Sequence, residues 1–244
     1  MASNPPKPIL VWLTPPGPNP WKVIFLLEEL GLNYEIKSFS SENVKKKPFT
    51  DVNPNGRVPA IEDPNTDLTL WESGAIYQYL VETYDGGAHH VSHGGAQGAP
   101  ALQPVAALPD ERSGPLLRPV RLVPAPAPEK YQPAIDRYAN EIRRVLGMLE
   151  GVLAARPADA QWLVGGKMAF VDMAFVPWNF RLSEGFPHVR AWHERMVDLP
   201  SWKRSMEIRA RLMDEQGLYW NGVPKGIETF KEYEEQIAAK DKEA

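Results

Sequence analysis

The residue pattern predicts an α/β domain followed by an all-α domain, and three observations carry that reading. Strand and helix signals alternate over residues 1–85, and apolar residues recur at helical spacing over 129–224. The stretch between them, 86–128, matches neither pattern. A half-charged tail with few apolar anchors, 225–244, reads as a frayed helix. At 244 residues, 43% of them hydrophobic, the chain is long enough for one or two buried cores.

Ile9–Leu13 is a short apolar run that ends at the proline-rich turn Thr14–Pro20, as a buried strand does. Pro20 suits the first turn of a helix, where its missing N–H costs nothing. Val23, Ile24, Leu26, Leu27 and Leu30 then supply the apolar face of that helix, and Gly31 stops it. Tyr34–Phe39 alternates like a strand. Val58–Ile61 and Leu68–Trp71 flank Asp63-Pro64-Asn65-Thr66-Asp67, a hairpin turn signal. A second helix starts near Glu72-Ser73, with Ala75, Ile76, Tyr79 and Leu80 on its inner face. One short β-α-β unit followed by β-β-α is the thioredoxin-like arrangement.

Beyond the break, Ile135, Tyr138, Ile142, Val145, Leu149 and Val152 mark a long amphipathic helix over Pro133–Ala155. Trp162–Gly166 turns into a helix holding Phe170, Met173, Ala174 and Pro177. Helical stretches at His188–Leu199 and Ser201–Gly217 complete the domain. The methionines at helical positions, such as Met173, Met196 and Met213, read as core fillers rather than ligands.

Composition excludes several chemistries. There is no cysteine, which removes disulfides, thiolate metal sites and a cysteine nucleophile, and permits a reducing, cytoplasmic location. A formal charge of −4 gives no electrostatic reason to expect nucleic acid or anionic lipid as partner. No apolar run is long enough for a membrane span, and Met1–Lys7 lacks the apolar core of a signal peptide. His89-His90 with His93 is the one imidazole cluster, but no carboxylate follows until Asp110, so no metal is expected.

Two motifs then become specific. Val52-Asn53-Pro54-Asn55-Gly56-Arg57-Val58-Pro59-Ala60 and Leu70-Trp71-Glu72-Ser73-Gly74-Ala75-Ile76 resemble the glutathione-binding half of glutathione S-transferases. With Pro18-Asn19-Pro20-Trp21-Lys22, the pattern is most similar to the fungal branch related to the yeast prion-forming nitrogen regulator. The resemblance covers 8–85 well and 129–224 moderately, and implies a helical glutathione-transferase C-terminal domain after the thioredoxin-like one. It also implies a homodimer, and glutathione as cosubstrate with no further cofactor.

The motifs also carry a physical argument of their own. A cis Val58-Pro59 bond would turn the Val58 N–H and C=O outward at a sheet edge, where an extended peptide pairs like an added strand. The cysteinyl backbone of glutathione fits that description. Ser73 at a helix start offers a hydroxyl and an N–H to a carboxylate, aided by the helix dipole, and Glu72 takes an ammonium group. Together they suit the two ends of a γ-glutamyl group. The competing reading makes Val58-Pro59 an ordinary turn and Ser73 a plain helix cap.

Glutathione chemistry further needs a donor that stabilises the sulfur anion near the end of the first strand. Many transferases use Tyr or Ser, and neither occurs between Val11 and Lys22. The resemblance points to the amide of Asn19, with the hydroxyl of Thr14 as the alternative. Asn19 also suits the cap of a helix beginning at Pro20. Lys37 and Arg57 are candidates for the glycyl carboxylate.

Three functions remain in competition. One is conjugation of the glutathione thiolate to a small electrophile, in detoxification or secondary metabolism. Another is reduction of a glutathionyl mixed disulfide, which needs no protein cysteine. The third is a non-catalytic glutathione-binding regulatory module. The yeast regulator carries a long Asn-rich extension, whereas this chain starts almost at its first strand, so prion behaviour is not expected.

Of the chain's 25 prolines, eight fall between Pro100 and Pro128, and no aromatic residue occurs between Tyr84 and Tyr131. The family places an aromatic-rich helix there that carries dimer contacts and part of the electrophile pocket. Leu102–Pro126 reads LQPVAALPDERSGPLLRPVRLVPAP. Back-translated with suitable third bases and read one nucleotide later, it gives CSQWLLFQMSGQGPYYGQSVWFQHL without a stop codon. That string resembles the missing helix. In the shifted frame only the middle base of each codon is free, so so long a match is hard to reach by accident. A pair of compensating one-base slips, near Asp85–Gly87 and near Pro126–Glu129, accounts for the segment. A genuine insertion is the alternative. A slip carried by the polypeptide would leave the glutathione clamp and damage the dimer and second-substrate sites.

Sequencing the coding DNA or transcript through this region is expected to reveal an unslipped frame. A clean frame encoding the present residues refutes an artefact.

Overall fold

The computed structural model describes residues 6–85, 132–157, 162–164, 166–178, 185–227 and 232. The expectations placed on 86–128, including His89, His90 and His93, lie outside these residues, as does the tail beyond 227 apart from Glu232.

The first domain contains β1 (Ile9–Leu13), α1 (Asn19–Glu29), β2 (Tyr34–Ser38), a short α2 (Phe49–Val52), β3 (Ala60–Asp63), β4 (Leu68–Trp71) and α3 (Ser73–Tyr84). The sheet order is β2-β1-β3-β4. β1 runs parallel to β2 and antiparallel to β3, and β3 pairs antiparallel with β4. This is the predicted β-α-β, β-β-α arrangement. Ile9, Val11, Leu13 and Ile61 face the main core with residues of α1 and α3, while Trp12 and Ala60 on the other face pack with Phe49.

Three details differ from the expectation. Helix α1 begins at Asn19 rather than Pro20, because Pro20 fits the second helical position as well as the first. Its end is as predicted: the N–H groups of Gly31 and Leu32 return to the carbonyls of Glu28 and Leu27 at 3.3 and 3.0 Å, a Schellman closure. Strand β3 begins at Ala60 rather than Val58, where the Val58-Pro59 peptide bond is cis. On α3, Ala75 is exposed and Tyr77 takes the inner position, its hydroxyl donating to the Lys22 carbonyl at 2.8 Å.

Asp63 ties the β3–β4 hairpin to α3. Its buried carboxylate accepts from the hydroxyls of Tyr79 (2.6 Å) and Tyr84, and from the backbone and side-chain amides of Asn65, both at 2.9 Å. Burial alone would raise its pKa, but these donors outweigh it and hold the group below the ordinary value.

The helical domain contains α4 (Gln132–Ala154), α5 (Phe170–Phe175) continued by a 3₁₀ turn (Val176–Trp178), α6 (Pro187–Val197) and α7 (Pro200–Glu215). The buried stripe of α4 is Ile142, Val145, Leu146, Leu149 and Leu153, while Val152, expected inside, is 37% exposed. The true stripe runs through Leu153 and leaves Val152 a helical step to one side. Met173, Met196 and Met213 are buried, as their reading as core fillers requires.

Helix α1 joins the domains. Pro20 to Leu27 are all buried, and α1 packs against α3, α5 and α7. Phe25 meets Trp202 edge-to-face at 5.3 Å. At the rim, Arg204 donates to Glu28 at 2.6 Å and Ser201 to Glu29. Among the described residues, no helix is long and apolar enough to cross a membrane.

Asp172 fixes the start of α5. Its carboxylate accepts the N–H of Leu163 (2.9 Å), the N–H of Ala169 (2.8 Å) and the indole N–H of Trp192 (2.7 Å). Burial pushes its pKa up to about 6 against the pull of those donors. A Ser or Thr at the cap position would accept a first-turn N–H through its side-chain oxygen. Here Ala169 occupies it in extended backbone geometry and has no side-chain oxygen to offer.

Supplying the missing half of this cap should stabilise the protein. Ala169→Ser is expected to raise the unfolding free energy by about 0.5–1.5 kcal/mol in urea denaturation. An unchanged or lower midpoint would show that the buried site cannot take the hydroxyl.

Candidate functional site

Strand register gathers the predicted site residues at one end of the sheet. Lys37 of β2 pairs with Trp12 of β1, Trp12 with Ala60 of β3, and Ala60 with Trp71 of β4. Just past this cross-strand row the chain carries Thr14 after β1, Val58-Pro59 before β3, and Glu72-Ser73 after β4. Asn19 opens α1 five residues beyond Thr14. Four stretches of the chain, around 12–19, 37, 58–60 and 71–73, thus come to the same end of the sheet.

The turn from β1 into α1 contains Pro15, Pro16, Gly17 and Pro18. The indole N–H of Trp21 donates to the Pro15 carbonyl at 2.9 Å and braces the turn from the core side. Thr14 is buried, and its hydroxyl makes no hydrogen bond among the described residues. Asn19 lies one position inside the helix, and the cap position is Pro18. The Asn19 side-chain oxygen is buried with no hydrogen-bond partner. A capping side chain would use that oxygen to accept a first-turn N–H, so the helix-cap reading of Asn19 is corrected. Its amide is held with donors uncommitted within the described residues, an arrangement suited to meeting an anion.

The turn before β3 is built around Asn53, which is buried. Its side-chain amide donates to the Arg57 carbonyl at 2.7 Å, and its side-chain oxygen accepts the Asn55 N–H at 2.9 Å. Gly56 is obligatory: its φ is +59°, and a Cβ there would lie 2.5 Å from the Val44 carbonyl oxygen. The Val58 side chain packs against the Trp12–Phe49–Ala60 cluster. Its backbone N–H and C=O form no backbone bond among the described residues. This gap sits at the end of the β1–β3 ladder, where Trp12–Ala60 is the last pair. The expected place, the side of an outer strand, is corrected: the outer strands are β2 and β4.

Glu72 occupies the cap position of α3, and Ser73 is its first residue. Ser73 is therefore not the cap, which corrects the plainer reading of that residue. The first intrahelical bond runs from the Ile76 N–H to the Glu72 carbonyl at 2.9 Å, so the first-turn amides precede it. Glu72 adopts φ +72°, a conformation costing a non-glycine residue about 1–3 kcal/mol, which surrounding structure must hold in place. Asn55 reaches its carboxylate at 3.5 Å, at the long limit of a hydrogen bond. That contact links the two sequence motifs.

The two candidate cations are placed differently. Lys37 lies over the Trp12 ring, its ammonium 3.9 Å from the ring centroid. Arg57 is exposed beside the Val58 gap. No group of three or more His, Asp or Glu residues suited to a metal ion occurs among the described residues.

Sequence reasoning missed the supporting residues. Asn53 and Asn55 stood inside a quoted motif, yet only the structure shows one folding the turn and the other reaching Glu72. The positive φ of Glu72 left no trace in the sequence.

Comparison with known proteins fits this geometry. The family model described as glutathione S-transferase, N-terminal domain, matches residues 7–82, and that of the C-terminal domain matches 115–200. The chain is 42% identical over 206 residues to the glutathione S-transferase-like protein gedE of Aspergillus terreus, spanning 78% of this chain and 90% of that one. It is 31% identical over 225 residues to the transcriptional regulator URE2 of Saccharomyces cerevisiae, spanning 76% of this chain and 64% of the regulator. Among solved structures, Ure2p5 of Phanerochaete chrysosporium, cocrystallized with 1-(S-glutathionyl)-2,4-dinitrobenzene, superposes with a TM-score of 0.74 at 32% identity. That match covers 86% of this chain and 97% of the other.

Proposed function

This chain belongs to the glutathione S-transferase family, and from that premise we propose that it conjugates the glutathione thiolate to a small electrophile. The observation that supports the reading is the cross-strand row Lys37–Trp12–Ala60–Trp71, beyond which Thr14, Val58-Pro59 and Glu72-Ser73 follow in the chain.

The Val58 N–H and C=O pair with the cysteinyl backbone of the tripeptide, as a short added strand would. Glu72 accepts the γ-glutamyl ammonium, while the Ser73 hydroxyl and the start of α3 take the adjacent carboxylate. Arg57 and Lys37 are the cations available to the glycyl end. The Asn19 amide donates to sulfur, with Thr14 as the alternative donor, and so favours the thiolate near neutral pH. The thiol proton leaves to solvent, sulfur forms a bond to carbon, and the leaving group departs with the electron pair of the broken bond. Holding both reactants supplies proximity. The protein works as a homodimer in the cytoplasm, as the family resemblance implies.

A second reading, a non-catalytic glutathione-binding regulator, is favoured by the 31% identity to URE2. Retention on glutathione-agarose without turnover of 1-chloro-2,4-dinitrobenzene would select it. Turnover of hydroxyethyl disulfide in place of the chloroarene would instead point to a disulfide reductase.

The clamp is tested by Ser73→Ala and Glu72→Ala. Each removes a charge-assisted contact worth about 1.5–3 kcal/mol, so glutathione affinity should fall about ten- to a hundred-fold. Calorimetric affinities unchanged in both variants would sink the assignment.

The sulfur donor is tested by a pH–rate profile. Asn19→Ala is expected to move the acidic limb to higher pH and to remove between about one and four kcal/mol of transition-state stabilisation. Ground-state affinity should change little, because the rest of the tripeptide is held elsewhere. A shift in Thr14→Val alone would transfer the role to Thr14, and no shift in either would reject a donor on this turn.

A further inference from the structure

The turn that carries Thr14 and Asn19 has little means of holding itself. Pro15, Pro16 and Pro18 have no N–H, so among residues 15–18 of the turn Gly17 alone could donate a backbone hydrogen bond. Its position has to be imposed from outside. Trp21 does this on the core side through the Pro15 carbonyl.

The segment that follows α7 also meets this turn, at Pro16. Its own hydrogen bonds stiffen it: Leu218 N–H to Met213 C=O at 2.8 Å, Tyr219 N–H to Val223 C=O at 2.7 Å, and Lys225 N–H to Gly217 C=O at 2.7 Å. Arg209 donates to the Trp220 carbonyl at 3.0 Å, and Lys225 pairs with Asp214. Gln216 ties the base of the segment to the sheet through Ser38, at the end of β2, at 2.9 Å. At its tip, Gly222 (φ +88°) rests directly on Pro16, and a Cβ at Gly222 would lie 2.9 Å from the Pro16 Cβ and 3.4 Å from its Cγ.

We propose that the C-terminal turn of residues 217–225 is a positioning element for the glutathione chemistry: Gly222 seats Pro16 and thereby fixes the turn that presents Thr14 and Asn19. The proposal rests on reading that turn as the thiol-activating one. A donor must stand within a few tenths of an ångström of its place to stabilise a sulfur anion, so a small push on Pro16 is read directly in the chemistry.

Gly222→Ala applies that push. Gly226→Ala is the matched control, because Gly226 has nearly the same φ, +86°, and nothing lies within 4 Å of a Cβ placed there. Both variants carry the same backbone strain, and only one collides with Pro16. In Gly222→Ala, kcat for 1-chloro-2,4-dinitrobenzene is expected to fall about tenfold, with the acidic limb moved to higher pH, while calorimetric glutathione affinity changes less than about twofold. Gly226→Ala should leave the limb in place. Equal profiles in the two variants would overturn the proposal.

Hydrogen exchange of the full chain tests the coupling without turnover. Amides of Thr14, Gly17, Asn19 and Trp21 should exchange about tenfold faster in Gly222→Ala than in Gly226→Ala. Should Gly222→Ala fail to fold, Pro16→Gly is read in the other direction, with faster exchange expected at Tyr219 and Val223. No change there overturns the proposal. A wild-type chain without conjugating activity would defeat the reading of function, whereas the exchange comparison would still decide whether the two turns are coupled.

Discussion

The antiparallel pairing of β1 with β3 ends at Trp12 and Ala60, and the rest of the site depends on that end point. Had the ladder continued by two more pairs, Leu13 with Pro59 and Thr14 with Val58, the backbone of Val58 would be engaged within the sheet. Proline at 59 cannot donate to a ladder, and Asn53 folds the preceding residues into a turn instead. The opening is therefore made by residues whose own bonds are internal to the turn. The side-chain bonds of Asn53 and the N–H bond of Gly56 close among 53–57, and none of them engages Val58.

From this end point the other groups follow by geometry. β4 is antiparallel to β3, so its exit at Trp71 falls beside the entry of β3, and the next residues reach the same place. β1 is parallel to β2, so Lys37 and the start of the β1–α1 turn arrive there together. The chemistry of the site is then distributed by type. Backbone groups stand at Val58, a carboxylate and a hydroxyl at Glu72 and Ser73, and an uncommitted amide at Asn19. The buried Asn19 oxygen without a partner is a destabilising feature in isolation, costing about 1–3 kcal/mol. The amide nitrogen of the same side chain, not this oxygen, is the group that could donate to an anion.

Much of this was legible before any coordinates. The four strands and the helices α1 and α3 announced themselves through apolar runs bounded by proline, glycine and aspartate, whose backbone preferences are local. The Glu72–Ser73 pair could be named because it stands in a motif that resembles the glutathione-binding half of the family, although Ser at a helix start also reads as a plain cap. What the sequence hid was non-local or conformational. Nothing in Asn53 announces that its amide spans four residues to Arg57, and no composition reveals that Glu72 adopts a positive φ. The rotation of α4 was misjudged at Val152 because a helix with apolar residues at both 152 and 153 offers two stripes, and packing against α6 selects one. The role of Gly222 was beyond reach, since its neighbour Pro16 lies two hundred positions earlier in the chain.

The burial of α1 on every side bears on how the two halves are joined. The main core is one continuous cluster that runs from Ile9 and Val11 through Phe25 and Leu27 to Trp192 and Trp202, so it crosses the division that the sequence suggests. Helix α1 belongs topologically to the sheet domain and energetically to both. The packing of α1 against α5 and α7 therefore helps to hold the two halves in register. In the language of split proteins, the chain is two complementary fragments with a shared interior. The fragment that carries Asn19 finds its partner through Phe25, Glu28 and Glu29 of the same helix.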